Sequence, residues 1–198
     1  MSKFVKGTIS YTAFKLNKEM GMISDMRERI ELTSFKPLAP EDIRDESSGW
    51  VDPELSFDNE LFANITLGDA ILLAMRIDKY SFGASQMRPY LEKAEFDFMH
   101  NNSLERLTAQ QKKDIKEGVI KSLKTNSLPK VTIVESFWSQ ESNRVYLFSQ
   151  SGAVIAKFID LFEQTFEITL DPISIMDAVD QLDNPNSMEP VFAKIWEL

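Results

Sequence analysis

Two hairpin signals enclosing a pair of consecutive helical patterns constrain this chain more than any other feature. Residues 61–66 and 70–80 read as strands around Leu67-Gly68-Asp69-Ala70, where the Gly-Asp pair suits a tight turn needing positive φ. A helix from Ser85 to about His100 follows, with Pro89 five residues in, which delays or distorts its first turn. Asn101-Asn102-Ser103 breaks that helix, and Thr108-Ala109-Gln110-Gln111 spells a capping box for a second, ending near Leu123. Residues 131–138 and 144–148 form the second hairpin across 139–143. Strands and helices interspersed in this way predict the α+β class, with antiparallel hairpins and packed helices.

The flanks fit the same class. Residues 3–16 alternate loosely as an opening strand, and Asn17 can cap a helix reaching Leu32 through Met22, Ile23, Met26 and Ile30. Pro37 and Pro40 then break the chain ahead of residues 41–60, which hold eight carboxylates against Arg44 alone. Turn signals at Gly49, Asp52 and Pro53 predict no more than one helical turn there. Ser151 can cap a helix to Phe166, and residues 167–170 form a short strand ended by Asp171-Pro172. The expected organisation is an α+β region over 3–172, within which 61–149 can form a hairpin and helix-pair lobe, followed by an acidic segment over 173–198.

Composition narrows the chemistry. Among 198 residues there is no cysteine and one histidine. Disulfides, thiolate metal sites, iron–sulfur clusters and cysteine nucleophiles are thereby excluded, as is a His/His metal pair. The seven glycines stand alone and build no phosphate-cradling loop. His100 sits near a helix end, where the dipole favours a charged imidazole, and no neighbouring pattern supplies a nucleophile. Ser151-Gly152 lacks a nucleophile-elbow frame and reads as a helix cap.

Carboxylates could hold Mg²⁺ in a nuclease. Yet neither Asp52, Glu54, Asp58 and Glu60 nor Asp177, Asp180 and Asp183 comes with a convincing lysine or histidine. Asp114-Ile115-Lys116 matches half of a nuclease motif but lies in a helix, which aims the two side chains wrongly. Solvated acidic faces are the simpler reading. The expectation is a non-enzyme without cofactor or metal. The longest apolar run, residues 70–75, is far short of the ~20 residues a bilayer span needs, and residues 1–11 lack a signal-peptide core. A cytoplasmic location without membrane attachment is expected.

Charge is segregated along the chain. The net charge of −9 divides into +4 over residues 104–130, seven cations against three anions, and −13 elsewhere. At 100° per residue Ile115, Val119 and Leu123 form an apolar stripe, with Lys113, Lys121 and Lys124 to one side and Lys112 and Lys116 at its edge. Such a helix could dock through Val119 and present ammonium groups to phosphates. On the charge pattern alone, a solvated helix with pairs such as Lys113–Glu117 is the simpler account.

The order of these pieces resembles the N-terminal part of the bacterial recombination-associated RdgC family. The resemblance rests on Gly49-Trp50-Val51 followed by Pro53, and on the hairpin leading into Arg76-Ile77-Asp78-Lys79. It rests most on residues 107–131, LTAQQKKDIKEGVIKSLKTNSLPKV, similar to the family's Lys-rich helix, basic loop and strand. Two places depart from the pattern: Phe82-Gly83 replaces a Leu-Pro, and Lys124-Thr125-Asn126 replaces a Leu-Pro-Arg loop. Family members also carry a further C-terminal domain.

The resemblance implies a homodimeric, ring-like assembly that encircles duplex DNA without sequence preference, is nucleoid-associated, and competes with a recombinase. The implied phosphate contacts are Lys113, Lys116, Lys121, Lys124 and Lys130, with Arg76 and Lys79 as secondary contacts and Leu128 at the tip of the 124–130 loop. The alternative expectation is a protein-interaction module of the same fold that has lost DNA binding. It is motivated by the acidic tail with Phe192 and Trp196.

Overall fold

A computed structural model describes residues 10–17, 25–57, 65–68 and 70–173. Seven strands form one antiparallel sheet: β1 (Thr12–Leu16), β2 (Glu46–Val51), β3 (Thr66–Leu67), β4 (Ala70–Lys79), β5 (Lys130–Ser139), β6 (Arg144–Leu147) and β7 (Leu170–Pro172). Six run in the order β2-β4-β5-β6-β1-β7, and the short β3 pairs with β4 beside β2. Four helices accompany them among the described residues: α1 (Met26–Leu32), α2 (Ala84–Asn101), α3 (Ala109–Thr125) and α4 (Gly152–Phe166). The fold is α+β, and no described helix is long and apolar enough to cross a membrane.

Alternation assigns each sheet face its partners. Ile71, Leu73, Met75 and Ile77 of β4 point into the main core with Trp50, Val134 and Trp138, beneath α1 and α4. On the opposite face Ala74 packs with Phe35, Val51 and Ile133, and Ala70 with Phe137 and Tyr146. The buried residues of α4 are Phe158, Leu161, Phe162, Thr165 and Phe166, a helical stripe that supplies three aromatic rings. Trp138 meets Phe162 and Phe166 at ring-centroid distances of 5.2 and 5.4 Å, and Trp50 stands edge-on to Phe158 at 5.8 Å.

Burying Trp50 requires an acceptor for its indole N–H, and Thr165 Oγ1 accepts it at 2.8 Å. The same hydroxyl lies 2.7 Å from the carbonyl of Leu161 and 2.9 Å from Thr33 Oγ1, so β2, α4 and the end of α1 share one polar knot. Gly49 makes the approach possible. A Cβ there would lie 2.5 Å from Cα of Phe35 and 2.8 Å from the carbonyl carbon of Ser34. Segment 33–35 lies that close because Phe35 N donates to Trp50 O and Trp50 N donates to Thr33 O.

The helix pair and the second hairpin form as the spacing predicts; of the first hairpin, Thr66–Leu67 pairs with β4, and residues 61–64 of its expected strand lie outside the described residues. Gly68 takes φ +59° in the first turn, and Asn143 takes φ 51° in the second. The capping box is complete: Gln111 N donates to Thr108 Oγ1, and Thr108 N donates to Gln111 Oε1. Pro89 lies inside α2 without ending it.

Several expectations differ from the structure. The acidic stretch contains β2, because Ser48 and Trp50 alternate with Ser47 and Gly49 beneath a charge density that masks the period. Ser151 is the N-cap of α4 by position but makes no side-chain cap bond. Asn17 N donates to Thr169 O, and α1 is described from Met26 with Asp25 at its N-cap, while residues 18–24 of the expected helix lie outside the described part, as does the acidic segment from residue 174 on. The sheet joins strands on both sides of the 61–149 span, leaving the α2–α3 hairpin as the part of that span least engaged with other elements.

Thr165→Val keeps the shape but strands the Trp50 indole N–H, and should cost about 1–3 kcal/mol in chemical denaturation. Gly49→Ala should cost a similar amount or more, because the clash is with backbone and not with a flexible side chain.

Candidate nucleic-acid interface

The cations singled out by charge pattern divide into two groups once the fold is known. Lys112, Lys113, Lys116 and Lys121 lie exposed along α3, and Lys130 lies exposed at the start of β5. Their helix is oriented by its other side: Val119 is buried, and Ile115, Val119 and Leu123 line a groove against Phe82, Tyr90 and Phe98 of α2 and the segment before it. Among the described residues the one ion pair of these exposed lysines, Lys113 to Glu117, spans 3.9 Å between solvated side chains and neutralises little. At the end of α3 its last carbonyls accept bonds from the side chains of Thr125, Asn126 and Ser127, so the helix stays ordered up to the loop. Leu128 at the tip of that loop is 92 % exposed.

Lys124 belongs to the other group and requires a correction. It is only 3 % exposed. Its ammonium has three hydrogens and meets three acceptors: Asp45 Oδ1 at 2.8 Å, Asp42 O at 2.9 Å and Arg44 O at 3.1 Å. The Tyr80 ring lies 5.7 Å from the same nitrogen, and Tyr80 N donates to Asp45 O. With every donor used and water excluded, Lys124 has nothing left for a phosphate. It is a strut joining the C-terminal turn of α3 to segment 42–45 and the end of β4.

Arg76 is likewise committed. It makes a bidentate bond to Asp78, 2.8 Å on each arm, and lies 4.5 Å from the centroid of Phe35. The Asp78 bonds raise its pKa against the opposing effect of burial. Lys79 keeps half of its side chain in solvent and pairs with Glu46 at 3.1 Å.

The acidic stretch also changes meaning. Asp42 accepts a bond from Ala39 N, Asp52 accepts from Glu54 N and Leu55 N, Asp45 holds Lys124, and Glu46 holds Lys79 and Lys157. These carboxylates fix turns and partner lysines; of the set expected on solvated faces Asp52 is buried instead, and Asp58, Glu60, Asp177, Asp180 and Asp183 lie outside the described residues. Among the described residues no three of His, Asp or Glu converge as metal ligands. Asp114 lies on α3 and accepts a bond from Gln110.

Lys157 was missed by sequence reasoning, although it is the single cation of an otherwise mostly apolar helix. It reaches the Glu46 carboxylate from above the sheet. Burial works against that carboxylate's charge, but the Lys157 and Lys79 ammonium groups outweigh it and hold the pKa below the ordinary value.

Comparison with protein-family models gives no match, and a search of curated proteins finds no significant relative.

Lys124→Met should loosen the hairpin without dismantling the sheet. The expected result in hydrogen exchange is faster exchange over residues 39–45 and 121–127, with the amides of β4 and β5 keeping their protection.

Proposed function

We propose that this chain is a non-catalytic protein that binds duplex DNA without sequence preference and modulates recombination or replication as a dimeric, ring-like assembly. The observation that carries the reading is the set of exposed ammonium groups on α3, together with exposed Lys130 at the start of β5, in a protein whose net charge is −9. Their neutralising partners are few: Lys113 alone of the five makes an ion pair among the described residues. Non-specific binding needs phosphate contacts and not base readout, which flexible lysines satisfy. The acidic remainder of the surface limits stray contacts and directs the polyanion to this face.

The contact set in this reading is Lys113, Lys116, Lys121 and Lys130, with Lys79 secondary and Leu128 as an apolar contact at the loop tip. Lys124 and Arg76 act from inside, holding α3 and β4 in place. The resemblance to the RdgC family supports the ring and the recombination setting through residues 49–53 and 107–131.

One observation favours the alternative, a protein-interaction module. Helix α2 buries none of its residues, and Tyr90 and Phe96 are 54 and 64 % exposed. An aromatic surface of this kind suits a protein partner.

Lys116→Gln/Lys121→Gln should weaken duplex binding roughly tenfold at moderate salt and lower the log–log salt slope by ~2, read by fluorescence anisotropy. Unchanged affinity and slope would remove α3 from the interface. Absence of duplex binding at any salt would favour the interaction module.

A further inference from the structure

At one end of the sheet the charges do not balance. Glu46 of β2 lies opposite Lys79 of β4, and Lys79 lies opposite Lys130 of β5, so the three form a row across adjacent strands. Alternation puts the row on the α4 side. Lys79 shares parity with Ile71, Leu73, Met75 and Ile77, and Lys130 with Val134 and Trp138, all of them in the core beneath α4. Lys157 descends from α4 to the same carboxylate: it holds Glu46 Oε1 while Lys79 holds Oε2.

Two ammonium groups thus hold one carboxylate, and a third, Lys130, stands beside Lys79 on the next strand. Lys130 makes no ion pair among the described residues, and like charges directly opposite on neighbouring strands repel. Asp160, one turn beyond Lys157, is exposed and makes no ion pair with these lysines. The direction of α4 adds to the excess. Phe162 and Phe166 pack on Trp138, which lies opposite Ile71 at the far end of β4, so the positive N-terminal half of the helix dipole lies over this end. The Lys124 strut uses Asp45 and Tyr80, the residues of opposite parity, and so faces away from the cluster.

We infer that Lys79, Lys130 and Lys157 form a second phosphate seat for the DNA backbone, in which Glu46 is a built-in counterion that a phosphodiester displaces. The inference rests on the duplex-binding reading, joins Lys157 to Lys79 and Lys130 of that contact set on the α4 side of the sheet, and adds a residue that restrains affinity. Glu46 occupies the positions that phosphate oxygens would take, holding the lysines apart and oriented when DNA is absent.

The test is duplex titration by anisotropy over a range of salt with the full-length chain and its Glu46→Gln and Lys157→Gln variants. Glu46→Gln should bind about three- to tenfold more tightly, and Lys157→Gln should bind several-fold more weakly with a salt slope lower by ~1. Opposite signs separate this role from simple damage to the fold, which would weaken both variants. Circular dichroism melting checks that each remains folded. If the parent protein binds duplex through α3 but neither variant changes affinity, or if Glu46→Gln weakens it, the second seat is overturned and the duplex-binding reading stands. If the parent protein binds no duplex, both fall together.

Discussion

An indole N–H placed inside an aromatic core must find an acceptor there, and much of this molecule follows from how Trp50 finds one. Thr165 can accept it only if α4 lies across the sheet at one height, and Trp50 can reach in only because Gly49 lets segment 33–35 close against β2. Fixing β2 in turn positions Glu46 under Lys157 and carries segment 42–45 to the end of β4, where Lys124 finds its acceptors. Trp138, the second buried indole among the described residues, finds no acceptor for its N–H among them, whereas Trp50 ties the aromatic seam to Thr165.

The same chain of placements sorts the cations. A helix of +3 could present all of its lysines to solvent or use some for attachment, and here Lys124 is used for attachment. That choice decides which face of α3 is outward. It also accounts for part of the local acidity, since Asp42, Asp45, Glu46 and Asp52 supply counterions and turn caps that hold basic elements in position. Net negative charge and a nucleic-acid surface are compatible when many of the carboxylates are occupied internally and the exposed lysines are clustered.

Local signals made much of the fold legible. The capping box at Thr108 to Gln111, Gly68 at positive φ and the helical apolar set of α4 each specify structure within a few residues. What escaped depended on long-range partners. Strand β2 was hidden because its period of two runs through serine, glycine and glutamate, and only pairing with β4 makes it a strand. The burial of Lys124 requires acceptors about eighty residues away, and Lys157 gains meaning only when α4 is laid over Glu46. The exposed lysines of α3 were legible because helical periodicity places Lys113 and Lys121 away from Val119 and leaves Lys112 and Lys116 at the edge of its stripe.

The central claim is that the exposed lysines of α3 meet the phosphates while Lys124 holds the helix from within. Lysine acetylation footprinting by mass spectrometry, with and without a duplex, tests both halves at once. The expected result is that Lys113, Lys116, Lys121 and Lys130 react readily in the free protein and are protected by duplex, whereas Lys124 resists acetylation in both states. Ready modification of Lys124 in the folded protein, or no protection of the α3 lysines by duplex, would contradict it.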